Sequence, residues 1–171
     1  YGVIEFYQKA LDEGVKPIIG MDAYLSPFGM QDRRAKIDHK PFRLVLLAEH
    51  NVGYHNLMKI STAGFLEGFF LKPRVDKAFL RSVCEQSNHG LIALSGGFYS
   101  EIAVLIRQGE EAKAVEVIKE FQEIFGPNNF FLELVDRPEL PDVQAVNSRL
   151  IALGRELNVP LVVTKDANYL Q

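Results

Sequence analysis

The sequence predicts an α/β fold in which a parallel sheet, or part of a barrel, is built from strands that alternate with helices. Five short apolar runs are separated by segments with helical periodicity, which is the pattern of strand–helix repetition. The 171 residues contain no internal repeat, low-complexity tract or linker, so one domain over residues 1–171 is expected. A closed barrel of the common kind needs about eight strands, so five leave it open.

The first third of the chain predicts one helix and two strands. A helix over residues 2–13 carries an apolar face at helical spacing, and Gly14 is a typical residue just past its end. The face consists of Val3, Tyr7 and Ala10. A strand follows over 17–25, the polar stretch 26–41 predicts a loop, and the apolar run 44–48 predicts a buried strand.

The remaining elements continue the alternation. Asn51 and Asp76 are suited to cap two helices, of which the first reaches about residue 63 and the second ends before Asn88. The later elements are a strand at 91–94, helices at 99–107 and 110–125, a strand at 130–135, a helix marked by Val146, Leu150, Leu153 and Leu157, and a strand at 160–164.

Composition excludes several classes of protein. The formal net charge of −3 gives no bulk attraction to nucleic acid or to an acidic membrane. No apolar run reaches the roughly 18 residues of a membrane helix, so no membrane partner is expected. Cys84 is the single cysteine, which excludes an internal disulfide and fits a reducing, cytoplasmic location.

Both ends of the sequence predict a piece of a longer protein. A helical pattern begins directly after Tyr1, without an initiator methionine, a capping residue or a signal peptide. At the other end, Lys165 to Gln171 follow the last strand without a terminating element.

Several polar residues follow the predicted strands. Because ligands of parallel α/β folds bind beyond the carboxyl ends of the strands, these residues are candidates for one shared rim. Their carboxylates and imidazole could hold a divalent cation, although acids after strands also cap the next helix routinely. The candidates are Asp22, Glu49, His50, the Ser95–Gly97 turn, Asp136 and Asp166.

Other chemistry has weaker signals. The four histidines, which have no metal-ligand spacing, are predicted to be surface groups. Ser95–Gly97 could present backbone N–H groups to a phosphate, but a plain tight turn is favoured. No GxSxG elbow is present and Cys84 falls inside a predicted helix, so nucleophilic catalysis has no support.

Two surface features could contact partners. The loop 31–43 has an excess of positive charge that could meet a phosphate backbone or an acidic partner, with a solvated loop as the alternative. Its basic residues are Arg33, Arg34, Lys36, Lys40 and Arg43. The aromatic residues Phe65, Phe69 and Phe70 are predicted to be buried, or else covered by the rest of a longer protein.

The motifs, taken together and in order, resemble the PHP (polymerase and histidinol phosphatase) domain of bacterial DNA polymerase III alpha subunits. The resemblance covers essentially the whole chain. It is carried by Tyr1–Tyr7, Lys16–Gly20, Asp22–Tyr24, Leu46–Ala48, Gly53–Leu57, Gly68–Phe70, Lys72–Arg74, Gly90–Gly96, Thr164–Asp166 and Asn168–Tyr169.

This resemblance implies a distorted seven-stranded β/α barrel that lacks its first strands, with their HxH pair. It implies a complete parent that is a DNA-directed DNA polymerase, a nucleotidyltransferase of DNA replication that uses Mg²⁺ in a domain absent here. The implied partners are the rest of the alpha subunit, DNA, and a proofreading exonuclease or other holoenzyme subunits. Relatives with an intact PHP site hold Zn²⁺ or Mn²⁺ and remove nucleotides from a 3′ end.

The sequence departs from the metal-binding pattern that the resemblance implies. Asp22 stands where such relatives have Glu, Arg43 where they have His, and Gly97 where they have Cys. Near the end Asp166 is kept, but Asn168 replaces a His. Arg43 would repel a divalent cation, and is expected to pair with Asp22 or Asp166 instead.

The expected function is therefore a structural and docking module with a vestigial metal site at Asp22 and Asp166. No catalytic residue and no bound cofactor are expected in this chain itself. The alternative is an active metal-dependent 3′–5′ exonuclease or phosphoesterase, in which those two carboxylates are completed by histidines outside this sequence.

Overall fold

The computed structural model describes residues 2–34, 40–85 and 88–165. Within these ranges the helices are α1 Val3–Asp12, α2 Asn51–Leu66, α3 Lys77–Cys84, α4 Glu101–Arg107, α5 Glu111–Phe125 and α6 Pro141–Glu156. The strands are β1 Gly20–Leu25, β2 Phe42–Ala48, β3 Leu91–Leu94, β4 Phe130–Val135 and β5 Leu161–Thr164. A short 3₁₀ turn, Gly97–Tyr99, precedes α4.

The five strands form one sheet in the order β1-β2-β3-β4-β5. The pairs β1–β2 and β2–β3 are antiparallel, whereas β3–β4 and β4–β5 are parallel. The sequence prediction of an α/β fold is confirmed, but the prediction of an all-parallel sheet is wrong. The described strands do not close into a barrel, and the seven-stranded barrel stays a prediction.

The connections explain the mixed directions. The segment between β1 and β2 contains no helix in its described part, and the chain returns beside the strand it has just left. Between β2 and β3 the chain passes through α2 and α3 and re-enters the sheet at the end where β2 finished, so β3 is antiparallel to β2. The later crossovers, through α4 with α5 and through α6, return to the end where the preceding strand began, so β4 and β5 are parallel to their predecessors.

Helix starts agree only partly with the predicted caps. Asp76 caps α3, since its side chain accepts a hydrogen bond from the N–H of Phe79. Ser100 caps α4 in the same way through the N–H of Ala103. The cap position of α2 is His50, and Asn51 is instead the first helical residue, so the predicted Asn51 cap is wrong.

The core lies between one face of the sheet and the helices. It contains fully buried apolar side chains from β1 to β4 together with residues of α2, α5 and α6. Examples are Leu44, Leu46, Ala93, Phe121 and Phe130, all at most 1% exposed. The opposite face carries Asp22, Arg43 and Glu133, and it is the face on which the candidate site lies.

Helix α1 contributes no buried residue. Its apolar side chains are half or more exposed at Ile4, Phe6 and Leu11. In the described part of the chain, no helix combines the length and the apolar character needed to cross a bilayer.

Candidate functional site

The candidate site lies along the upper edge, which we define as the end of the sheet where β1, β3, β4 and β5 finish and β2 begins. The register places Leu25 beside Phe42 and Leu94 beside Val45, so the start of β2 lies among the carboxyl ends of its neighbours. Asp22, Arg43, Gly97 and Asp136 therefore come from elements that meet at this edge.

Glu49 and His50 do not belong to this edge. Because β2 is antiparallel to its neighbours, its carboxyl end lies at the start of β3. The N–H of Glu49 donates to the carbonyl of Gly90 at 2.9 Å, and His50 Nε2 lies 2.8 Å from Asn88 Oδ1. The prediction that both join a common rim is wrong, since it assumed parallel strands.

Asp22 and Arg43 form an ion pair. Asp22 stands opposite Val45 and Arg43 stands opposite Tyr24, so the two side chains are diagonal neighbours on one face. Arg43 Nη2 lies 3.2 Å from Asp22 Oδ1, with side-chain exposures of 20% and 53%. The predicted pairing of Arg43 with Asp22 is observed, and a guanidinium beside this carboxylate opposes binding of a divalent cation there.

Gly97 has a backbone conformation that disfavours a side chain. Its φ of +62° lies in the left-handed region, where residues with a Cβ are strained. A Cβ built there would lie 2.7 Å from Val135 Cγ2, closer than real contacts allow. A cysteine ligand therefore does not fit at this position as the backbone stands.

Glu133 is the residue of this face that sequence reasoning missed. It is 3% exposed on β4, its Oε1 accepts a hydrogen bond from Thr164 Oγ1 at 2.7 Å, and its N–H donates to Ser95 Oγ at 2.9 Å. Within the described ranges Oε2 has no hydrogen-bond partner. The signal was present, because an acid interrupts the apolar run Phe130–Val135.

The last strands place Asp136 beside Lys165. The carboxylate Oδ2 lies 3.6 Å from Lys165 Nζ, and the N–H of Asp136 donates to the carbonyl of Thr164 at 2.7 Å. The predicted residues Asp166 and Asn168 lie outside the described residues. Among residues 2–34, 40–85 and 88–165, no three His, Cys, Asp or Glu side chains gather to hold a metal ion.

Cys84 and His89 have structural surroundings. Burial raises the pKa of the Cys84 thiol to about 12, so the reactive thiolate is scarce at neutral pH. His89 is partly buried, accepts the N–H of Leu91 on Nδ1 at 3.0 Å, and packs edge-on against Phe125. The prediction that His89 is a surface group is wrong, because its ring closes the turn before β3.

Two arginines of the predicted basic loop bind groups within the protein. Arg33 donates to the carbonyls of Glu67 and Phe69. Arg34 pairs with Asp32 at 3.0 Å, and its guanidinium lies 4.3 Å from the centre of the Phe28 ring. Lys40 is exposed and Lys36 lies outside the described residues. Contact of these cations with nucleic acid or a partner stays a prediction.

Of the three aromatic residues that were predicted to be buried, Phe65 at the end of α2 and Phe69 after it are exposed, and Phe70 is partly buried. Phe65 is 59% exposed and Phe69 is 49% exposed, and their rings stack with centroids 6.4 Å apart. The prediction of buried packing is wrong for these two residues, and a covered surface in a longer protein is the remaining interpretation.

The comparisons with known proteins agree with the motif order. The PHP domain family matches residues 1–137. The chain is 39% identical over 176 residues to DNA polymerase III subunit alpha of Borreliella burgdorferi, with 99% of the chain and 14% of that protein covered. It is 39% identical over 173 residues to the protein of the same name from Thermus aquaticus, covering 100% and 14%. The Aquifex aeolicus protein of that name is 36% identical over 176 residues, covering 99% and 15%. The chain spans about one seventh of the length of these curated relatives.

Proposed function

This chain belongs to the PHP domain family, and from that membership we propose that it is the PHP region of a bacterial DNA polymerase III alpha subunit. The relatives with that name align over nearly all of this chain. The activity of the complete polypeptide is then DNA-directed DNA synthesis in replication. Its Mg²⁺-dependent nucleotidyl transfer belongs to residues outside this chain, and no residue here is assigned to that reaction.

Within that polypeptide, we propose that this region is a structural and docking module whose metal site has degenerated. The observation that carries this proposal is the ion pair between Arg43 and Asp22 at 3.2 Å. A carboxylate that neutralises a permanent cation has its charge satisfied inside the protein, and a neighbouring guanidinium raises the cost of binding Zn²⁺ or Mn²⁺.

Gly97 supports the same proposal independently. A thiolate at this position would be an additional soft ligand for Zn²⁺, but glycine supplies no donor and its conformation disfavours a substituent. The family resemblance expects metal ligands at the positions of Asp22, Arg43 and Gly97. Of these three residues, only Asp22 has a carboxylate that could bind a metal ion. Asp166 and Asn168 are the remaining positions in that comparison.

The test is the metal content of the complete polypeptide after dialysis against a mild chelator, measured by elemental analysis. We expect far less than one equivalent of Zn²⁺ or Mn²⁺ per chain. We also expect the polypeptide to extend primers with Mg²⁺. Once any separate proofreading subunit has been removed, we expect no remaining 3′–5′ exonuclease activity that a chelator abolishes. Stoichiometric metal together with such exonuclease activity would establish the alternative, an active metal-dependent PHP site.

A matched pair of variants tests the role of Arg43. Arg43→His restores the ligand type that the resemblance expects, whereas Arg43→Gln only removes the charge and offers no imidazole. We expect neither variant to acquire stoichiometric metal, because Gly97 still supplies no donor. Full occupancy in Arg43→His but not in Arg43→Gln would mean that Arg43 alone blocks a functional site.

A further inference from the structure

We draw no further inference here: the strongest candidate, the groove at the upper edge between the 3₁₀ turn Gly97–Tyr99 and the start of α6, belongs through Arg43 and Val135 to the site already described, and nothing in the described part of the chain shows what would occupy it.

Discussion

Arg43 shows how one side chain changes what the upper edge of the sheet can hold. Its guanidinium stays charged at every accessible pH and binds Asp22 through a direct contact at 3.2 Å. The pair is half open to solvent on the Asp22 side, so its contribution to stability is small, about 1 kcal/mol or less. In the degenerate metal site that we propose, its main consequence is electrostatic, since the guanidinium would supply the positive charge of a metal ion.

Gly97 gives a prediction at the residue scale. Gly97→Ala combines strain at φ +62° with the contact to Val135 Cγ2 at 2.7 Å, and we expect it to destabilise β3 and β4 locally by about 2 to 4 kcal/mol. Gly109→Ala is the control, because Gly109 has φ +75° but nothing within 4 Å of its Cβ. Hydrogen exchange of the β4 amides in the complete polypeptide measures the first effect, and amides at the end of α4 measure the second. Equal costs at both sites would show that crowding by Val135 is unimportant.

Sequence patterns predicted some of these residues and missed others for identifiable reasons. The family resemblance placed Arg43 among ligand positions, and its charge led to the prediction of a pair with Asp22 or Asp166, of which the pair with Asp22 is observed. The acid within the apolar run of β4 was a visible signal, but the contacts of Glu133 and of Arg74 could not be predicted, because they join segments distant in sequence. Glu133 meets Ser95 and Thr164 only when three strands lie side by side. Arg74 meets Met30 and Asp32 only after two loops have come together.

At the scale of elements, the apolar runs of the sequence predicted the positions of the strands well but not their directions. The strands β3 and β4 have the predicted bounds because their apolar runs end in clear turn residues. Strand direction depends on the end of the sheet to which each crossover returns, which periodicity does not report, since two-helix crossovers join both the antiparallel pair β2–β3 and the parallel pair β3–β4. The resulting error moved Glu49 and His50 to the wrong edge of the sheet.

The cap of α3 gives a prediction at this scale. Asp76 accepts the N–H of Phe79 at 2.8 Å and also the N–H of Met30 at 2.9 Å, so one carboxylate both caps a helix and holds a loop. We expect Asp76→Ala to destabilise the region by about 2 to 3 kcal/mol. Ser100→Ala, which removes only the cap bond of α4 to Ala103, is expected to cost about 1 kcal/mol.

The comparison is made by hydrogen exchange of the amides of α3 and α4 in the complete polypeptide. Hydrogen exchange near Met30 should also become faster in Asp76→Ala. Loss of a helix cap alone, as in Ser100→Ala, would not produce this second effect. Similar local costs for both substitutions, with no change near Met30, would contradict the double role of Asp76.

At the scale of the whole molecule, the exposed apolar side chains and the open sheet determine whether the isolated chain associates in solution. Val163 on the terminal strand β5 is 66% exposed, and the apolar residues of α1 are also open to solvent. Unpaired strand edges and such surfaces promote association. We therefore expect residues 1–171, produced alone, to aggregate.

Val163→Lys should increase the monomeric fraction of the isolated chain, because a lysine on an edge strand opposes pairing with another chain. Val52→Lys is the control, since Val52 is 47% exposed but lies on helix α2, whose backbone offers no open edge. Size-exclusion chromatography with turbidity at increasing concentration measures both. A wild-type chain that stays monomeric and melts in one sharp transition would show the prediction to be wrong.

The strictly sequential order of the sheet has a consequence for biosynthesis. Each strand from β2 to β5 pairs with the strand that immediately precedes it in the chain. On the ribosome, the pairing partner of every newly emerged strand has therefore already left the exit tunnel. The described strands β1 to β5 can therefore pair one at a time, in the order in which they are made.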